Sequence, residues 1–247
     1  MKDIHNHLLF GIDDGSPKVE ESIKILNEMS DRGVTDIVLT PHYIIGTNYN
    51  CNNESKRMLL DKLKDKTNIK LYLGNEVFID NNIYEYIENK EISTINDSKY
   101  LLVELPLRER LDIAYDILFN LRNKGIVPII AHPERYHYIK IDDLIEFINL
   151  GCLLQGNITS LLGKYGKSAE NNLKLLLKKH MIHILGTDIH HECSDLNECY
   201  KKLDKIVNKD IKEDILFNNF DKIINNKDVQ VYKIVDTSSF FRRERIK

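Results

Sequence analysis

His5-Asn6-His7 lies within the first seven residues, and Asp13-Asp14-Gly15 follows almost at once. On an extended segment, imidazoles at i and i+2 point to the same side, so both can reach one metal ion. The acidic pair and its glycine can turn the chain back and bring a carboxylate, from Asp14, to the same point. Further donors recur singly: His42 in Thr-Pro-His, Glu76 in Gly-Asn-Glu, Glu104 in Val-Glu-Leu-Pro, His132 in Ala-His-Pro-Glu-Arg, and Asp188 with His190 in Thr-Asp-Ile-His. These nine donors exceed the three of an open single-metal site and suit two or three ions bridged by carboxylates. Mixed imidazole and carboxylate donors favour manganese, iron, zinc or cobalt over an all-oxygen magnesium or calcium site.

The elements that must position them are legible as an alternation. Seven short β-branched runs are expected to be strands: Lys2–His5, Asp36–Thr40, Lys70–Gly74, Tyr100–Leu105, Ile126–Ala131, Cys152–Gln155 and His183–Gly186. Amphipathic helical patterns lie between them at Pro17–Asp31, Glu54–Lys64, Asn81–Asn89, Leu111–Lys124, Ile141–Asn149 and Ser168–Lys179, with two more at Leu196–Asn208 and Ile211–Asn218. In the first, Ser16 can cap, Pro17 suits the first helical position and Gly33 ends the helix. Strand–helix alternation predicts an α/β fold with a parallel sheet, open or closed into a barrel. Every candidate donor apart from Asp14 follows a strand, and in a parallel barrel the C-terminal strand ends share one face. A single histidine after a strand is more often structural. Nine donors on one rim are not explained that way.

Composition bounds the rest. The 247 residues are 42% hydrophobic and 30% charged, with a net charge of −3, and fit one domain over residues 1–227 followed by a polar, basic tail at 228–247. The charge gives no field for nucleic acid, and no apolar run reaches the length of a membrane span. The N-terminus lacks the pattern of a signal peptide, so the expected location is cytoplasmic. The segment Phe240–Arg245 reads as a solvated terminus or a contact for an acidic partner or lipid. Four scattered cysteines form no C-x-x-C pair, which fits reduced thiols. Cys51 and Arg57 share the spacing of cysteine phosphatases, but the intervening loop has no glycine and carries Glu54, so the match is discounted. Tyr43, Ile44, Ile45, Tyr49, Tyr136 and Tyr138 form either an apolar rim for an aromatic phosphoester or loop packing. His137, His180, His183 and His191 are read as structural or surface residues.

The blocks D-I-H-N-H, G-I-D-D-G, T-P-H, G-N-E, L-V-E-L-P, A-H-P-E-R-Y and T-D-I-H resemble the polymerase-and-histidinol-phosphatase (PHP) superfamily, and more narrowly its CpsB/CapC-type bacterial protein-tyrosine phosphatases. The resemblance runs from Asp3 to about residue 227. It implies a distorted seven-stranded (β/α) barrel and a metal site, often manganese, with ligands His5, His7, Asp14, His42, Glu76, Glu104, His132, Asp188 and His190. It also implies that Arg135 binds phosphate; a surface ion pair with Glu134 is the bland alternative. One departure stands out: where the resemblance leads one to expect an Arg-Pro pair after the last block, the chain reads His191-Glu192-Cys193-Ser194-Asp195.

The implied activity is hydrolysis of phosphotyrosine by a metal-bridging hydroxide, with Arg135 on the phosphoryl oxygens and His42 or a bound water donating a proton to the phenolate. The implied partner is the tail of an autophosphorylated bacterial tyrosine kinase controlling capsule or exopolysaccharide synthesis. The rival readings are a PHP phosphoesterase for histidinol phosphate or a nucleotide, and a catalytically silent module that regulates a kinase. The oligomeric state is not legible.

Overall fold

The structure, a computed structural model, describes residues 1–108 and 112–235. Its strands are β1 (Lys2–Asp3), β2 (Asp36–Leu39), β3 (His42–Tyr43), β4 (Lys70–Leu73), β5 (Glu76–Phe78), β6 (Tyr100–Glu104), β7 (Val127–Ala131), β8 (Leu153–Asn157) and β9 (Ile184–Gly186). All pairings are parallel, in the orders β1-β2-β4 and β3-β5-β6-β7-β8-β9. The sheet is therefore curled and parallel. Past the last strand, the His7 amide donates to Ile189 O at 2.8 Å and the Asp188 amide to His5 O at 2.8 Å, so the chain beyond β9 lies against the chain beyond β1.

Where seven runs were expected, nine strand segments appear among the described residues, because two short segments form past breaks that follow the second and third runs. Thr40-Pro41 separates β2 from β3, and Pro41 has no N–H to give a ladder. Gly74-Asn75 separates β4 from β5 beside it. The breaks stay aligned: Gly74 N donates to Leu39 O at 2.9 Å and Glu76 N to Pro41 O at 3.1 Å.

The helices are α1 (Val19–Asp31), α2 (Asn53–Leu63), α3 (Ile83–Glu88), α4 (Ala114–Asn123), α5 (Ile141–Asn149), α6 (Gly166–Lys178), α7 (Leu196–Leu203), α8 (Lys209–Glu213) and α9 (Asn219–Ile224), the last two joined by a π-turn at Asp214–Asn218. Ser16 does not cap α1. Lys18 occupies the cap position without a side-chain bond, and Ser16 is buried in the returning loop, its amide on His7 O. Gly33 does follow the helix end, at φ +82°. Leu111, where α4 was expected to begin, and Phe240–Arg245 lie outside the described residues.

Side-chain alternation divides the core in two. Tyr100 and Leu102 of β6, Val127, Ile129 and Ala131 of β7, Leu153 of β8 and Ile184 of β9 form one cluster with Phe220 and Ile223 of α9. The intervening residues Leu101, Val103, Ile130, Leu154 and Leu185 join the larger cluster that packs under the helices. Glu104 shares the parity of Leu102, and Gln155 and Asn157 that of Leu153. Period two thus carries polar groups onto the inner face where the strands end. Helix α9 starts from Asn218-Asn219, and asparagine is a poor helix former, which is why periodicity did not reveal this helix.

Candidate metal centre

The first loop owes its shape to a close approach. A Cβ on Gly15 would lie 1.9 Å from His7 O, so no other residue lets the acidic loop fold back onto the first strand. Asp13, not Asp14, takes the inner place. Its Oδ2 accepts from His7 Nδ1 at 2.8 Å and from the His42 amide at 3.0 Å. Gln155 does the same for His5, its Oε1 accepting from Nδ1 at 2.9 Å. In the neutral, ligand form of both rings, with Nδ1 donating, the two Nε2 atoms present lone pairs to each other at 3.2 Å. Each also lies 3.2 Å from Glu76 Oε2. Asp188 Oδ1 stands 3.6 Å from His5 Nε2 and 3.5 Å from His7 Nε2.

The remaining donors surround this nucleus. His132 Nε2 lies 2.9 Å from Glu76 Oε1 and 3.6 Å from Glu104 Oε1. His42 turns Nδ1 to Glu76 Oε2 at 3.1 Å and Nε2 to Asp14 Oδ1 at 3.6 Å. His190 Nε2 is 3.5 Å from Asp14 Oδ1. Three groups of donor atoms fall within 4.8 Å of one another: His5, His7 and Glu76; His42, Glu76 and Glu104; and His7, Asp14, His42 and His190. His7, His42 and Glu76 each serve two groups. His132 and Asp188 are aimed by left-handed backbone, at φ 33° and 51°, an uncommon conformation for residues with a Cβ.

This donor set fits metal ions. Facing imidazole lone pairs repel unless a cation lies between them, and among the described residues the buried Nδ1 atoms of His42 and His132 have no partner aligned for a hydrogen bond. The protein charges alone are poorly reconciled. Burial opposes charge on His5, yet Glu76 and Asp188 raise its pKa to about 9. Burial, then the charge of Glu76, pushes Glu104 up, whereas His5 and His42 overcome burial to hold Glu76 well below the carboxylate range. A shared divalent cation would let all of them adopt their ligand forms together.

Arg135 closes the group from the short turn Pro133–Arg135, its Nη1 on Asp188 Oδ2 at 2.9 Å. Its ion pair is with Asp188; Glu134 is buried and accepts from Asn157 N and Ser160 Oγ instead. Ile44, Tyr49, Leu107, Arg135, Lys164, Tyr165 and the segment His191–Ser194 line a cavity of about 740 Å³ over the donors. The expected aromatic rim is thus split. Ile44 and Tyr49 face the cavity, Ile45 is exposed, and Tyr43, Tyr136 and Tyr138 pack through hydroxyl bonds to Glu91, to the Leu105 amide and to Pro106 O. His183 is buried, and His180 rests against Tyr232. Cys51 and Arg57 make no anion loop, since Asn52 caps α2 between them and Arg57 reaches toward Asp97.

Sequence reasoning missed the groups behind the donors. Gln155 and Asn157 end β8, the strand to which no donor had been assigned, and their inward parity was the available signal. Asn157 donates to Asp188 Oδ2 at 2.8 Å, as does Tyr165 at 2.8 Å. Asp3, fully buried, accepts from Thr187 N at 2.9 Å and Thr187 Oγ1 at 2.6 Å, tying β1 to β9. Lys56 donates to Asn75 Oδ1 and to Ser93 Oγ behind the break before Glu76, and burial lowers its pKa to about 7.

Comparison with known proteins agrees with this geometry. Residues 1–225 match the family model for capsular polysaccharide synthesis proteins CpsB/CapC. The chain is 39% identical to CapC of Staphylococcus aureus over 197 residues, 77% of each chain. It is 30% identical to the tyrosine-protein phosphatase YwqE of Bacillus subtilis over 198 residues, 77% of this chain and 78% of that one. A solved structure from work on YwqE of B. subtilis and CpsB of Streptococcus pneumoniae, described as metal-dependent tyrosine phosphatases, superposes with a TM-score of 0.85 at 25% identity, covering 96% of this chain and 100% of the other.

Proposed function

The chain belongs to the CpsB/CapC family, and from that premise we propose that it is a metal-dependent protein-tyrosine phosphatase acting in capsular polysaccharide synthesis. The observation that carries the reading is that seven of the donors line one open cavity with Arg135, while His5 and His7 lie behind them, each 3.2 Å from Glu76. We take the ligands to be His5, His7, Asp14, His42, Glu76, Glu104, His132, Asp188 and His190, the ions to be two or three manganese, and the substrate to be the phosphorylated tail of a bacterial tyrosine kinase in the cytoplasm. No helix among the described residues is long and apolar enough to cross a membrane. We read the curled sheet as a distorted seven-stranded barrel, with β2 counted with β3 and β4 with β5.

Bound metal ions supply Lewis acidity, which makes water acidic enough to provide a nucleophile near neutrality and offsets phosphoryl charge. The chain does the rest. Asp13 and Gln155 fix the tautomers of His7 and His5. Arg135 has four N–H donors beyond the one spent on Asp188, enough for two phosphoryl oxygens in the bidentate manner. Ile44, Tyr49 and Leu107 receive the aromatic ring. Phenolate, with a conjugate-acid pKa of about 10, asks little of a general acid. The proton would come from water or from His42, through whichever ring nitrogen is not holding an ion.

The test is phosphate release by the manganese-reconstituted protein from a phosphotyrosine peptide, with phosphoserine peptide and histidinol phosphate alongside. The expected result is chelator-sensitive preference for phosphotyrosine, and a fall of about 10²–10³ in kcat for Arg135→Ala with metal content unchanged. Preference for histidinol phosphate would replace the substrate; no turnover with metals bound would replace the activity with a regulatory role.

A further inference from the structure

Among the described residues lining the cavity, two carry fixed positive charge, Arg135 and Lys164. They arrive from different elements and meet on one tyrosine. The Arg135 guanidinium carbon lies 4.4 Å from the centre of the Tyr165 ring and Lys164 Nζ 5.4 Å from the same point. Both are tethered to Asp188: Arg135 through Oδ2 at 2.9 Å, Lys164 through the backbone carbonyl at 3.4 Å. Lys164 and Tyr165 sit between two left-handed glycines, Gly163 at φ +80° and Gly166 at φ +89°, which form the tight turn that presents both side chains.

Unlike Arg135, Lys164 has no carboxylate at ion-pair distance among the described residues, although five acidic side chains line the same cavity: Asp14, Glu76, Glu104, Asp188 and Glu192. Across the opening, His191–Ser194 brings no lysine or arginine. Two like charges fixed against one ring repel each other, and an anion with several oxygens placed between them relieves that repulsion. We propose that Lys164 is the second cation of the phosphoryl seat, gripping the dianion opposite Arg135. This rests on the phosphatase reading for its substrate, but not for its anion.

The experiment compares wild type, Lys164→Gln and Lys164→Arg, all loaded with manganese, by calorimetric titration with inorganic phosphate and by KM for the phosphotyrosine peptide. Gln keeps a donor for Asp188 O and removes the charge; Arg keeps both. Phosphate affinity is expected to fall about tenfold in Lys164→Gln, with KM rising in parallel, metal content unchanged, and recovery in Lys164→Arg. Affinity within twofold of wild type in Lys164→Gln, or equal losses in both variants, would overturn the assignment. If wild type does not hydrolyse phosphotyrosine, the proposed activity fails while phosphate affinity still decides the role of Lys164. If wild type binds no phosphate, the seat itself is refuted.

Discussion

On the inner wall of the site, His5, His7, Glu76 and Asp188 are 0–2% exposed, and each of the two imidazoles has an acceptor of its own behind it. On the outer wall, nearer the opening, Asp14 is 49% and His190 26% exposed, and Asp14 lies 3.5 Å from His190 and 3.6 Å from His42. His190 stacks on His7 with ring centres 4.0 Å apart and Nδ1 3.1 Å from the Asp188 carbonyl. The inner donors are placed by the protein whether or not an ion is present. The outer donors are less enclosed, and a bound ion would complete their placement. Rigidity is therefore concentrated where one carboxylate, Glu76, faces four imidazoles, and slack is left on the side from which substrate enters.

That contrast can be broken most forcefully at its two carboxylates. Glu76→Gln is expected to abolish tight binding of at least two ions and to lower turnover by about 10³-fold or more, whereas Asp14→Asn should lose about tenfold and a single ion. Turnover and elemental analysis of the same samples decide it; equal losses would mean that the walls do not differ. A smaller effect is expected one layer back. Asp13→Asn leaves every donor in place but takes the carboxylate from His7 Nδ1, and should weaken metal affinity by about 10–100-fold in a chelator competition. An unchanged affinity would show that backbone alone aims His7.

The smallest effect separates the rim's response to acid from the scaffold's. Burial lowers the pKa of His183 from 6.5 to about 4, and its Nδ1 accepts from the Leu154 amide. The folded protein refuses a proton that the unfolded chain takes up. The stabilisation is thus complete above pH 6.5 and is lost as pH falls toward 4, by at most about 3 kcal/mol. His183→Asn, whose oxygen can accept the same bond, should flatten the fall in Tm between pH 7 and pH 5. A fall as steep as wild type would place the acid sensitivity among the rim donors instead.

How much was legible follows from what each signal reports. Donors were found because imidazole and carboxylate after a β-branched run are visible in one dimension. The parallel strands followed from alternation. The residues that hold the donors were hidden because their roles depend on neighbours distant in sequence: Gln155 meets His5 across 150 residues and Asp3 meets Thr187 across 184. Within Asp13-Asp14, spacing could not tell which carboxylate faces inward. Ser16 looked like a cap until the returning loop claimed its backbone. Lys56 gave no sign at all, since buried lysines are rare and nothing near it in sequence predicts Asn75 as its partner.

The contact between the chain beyond β1 and the chain beyond β9 has a consequence for synthesis. Domains begin to fold from the N-terminal side as they are made. Here the first two donors emerge first and must wait for Asp188 and His190, some 180 residues later. Nascent chains short of that point offer His5 and His7 to metal without the last wall. The centre is therefore completed only by the last part of the sheet to be made, and a metal ion caught early would be enclosed only when the chain beyond β9 returns to the chain beyond β1.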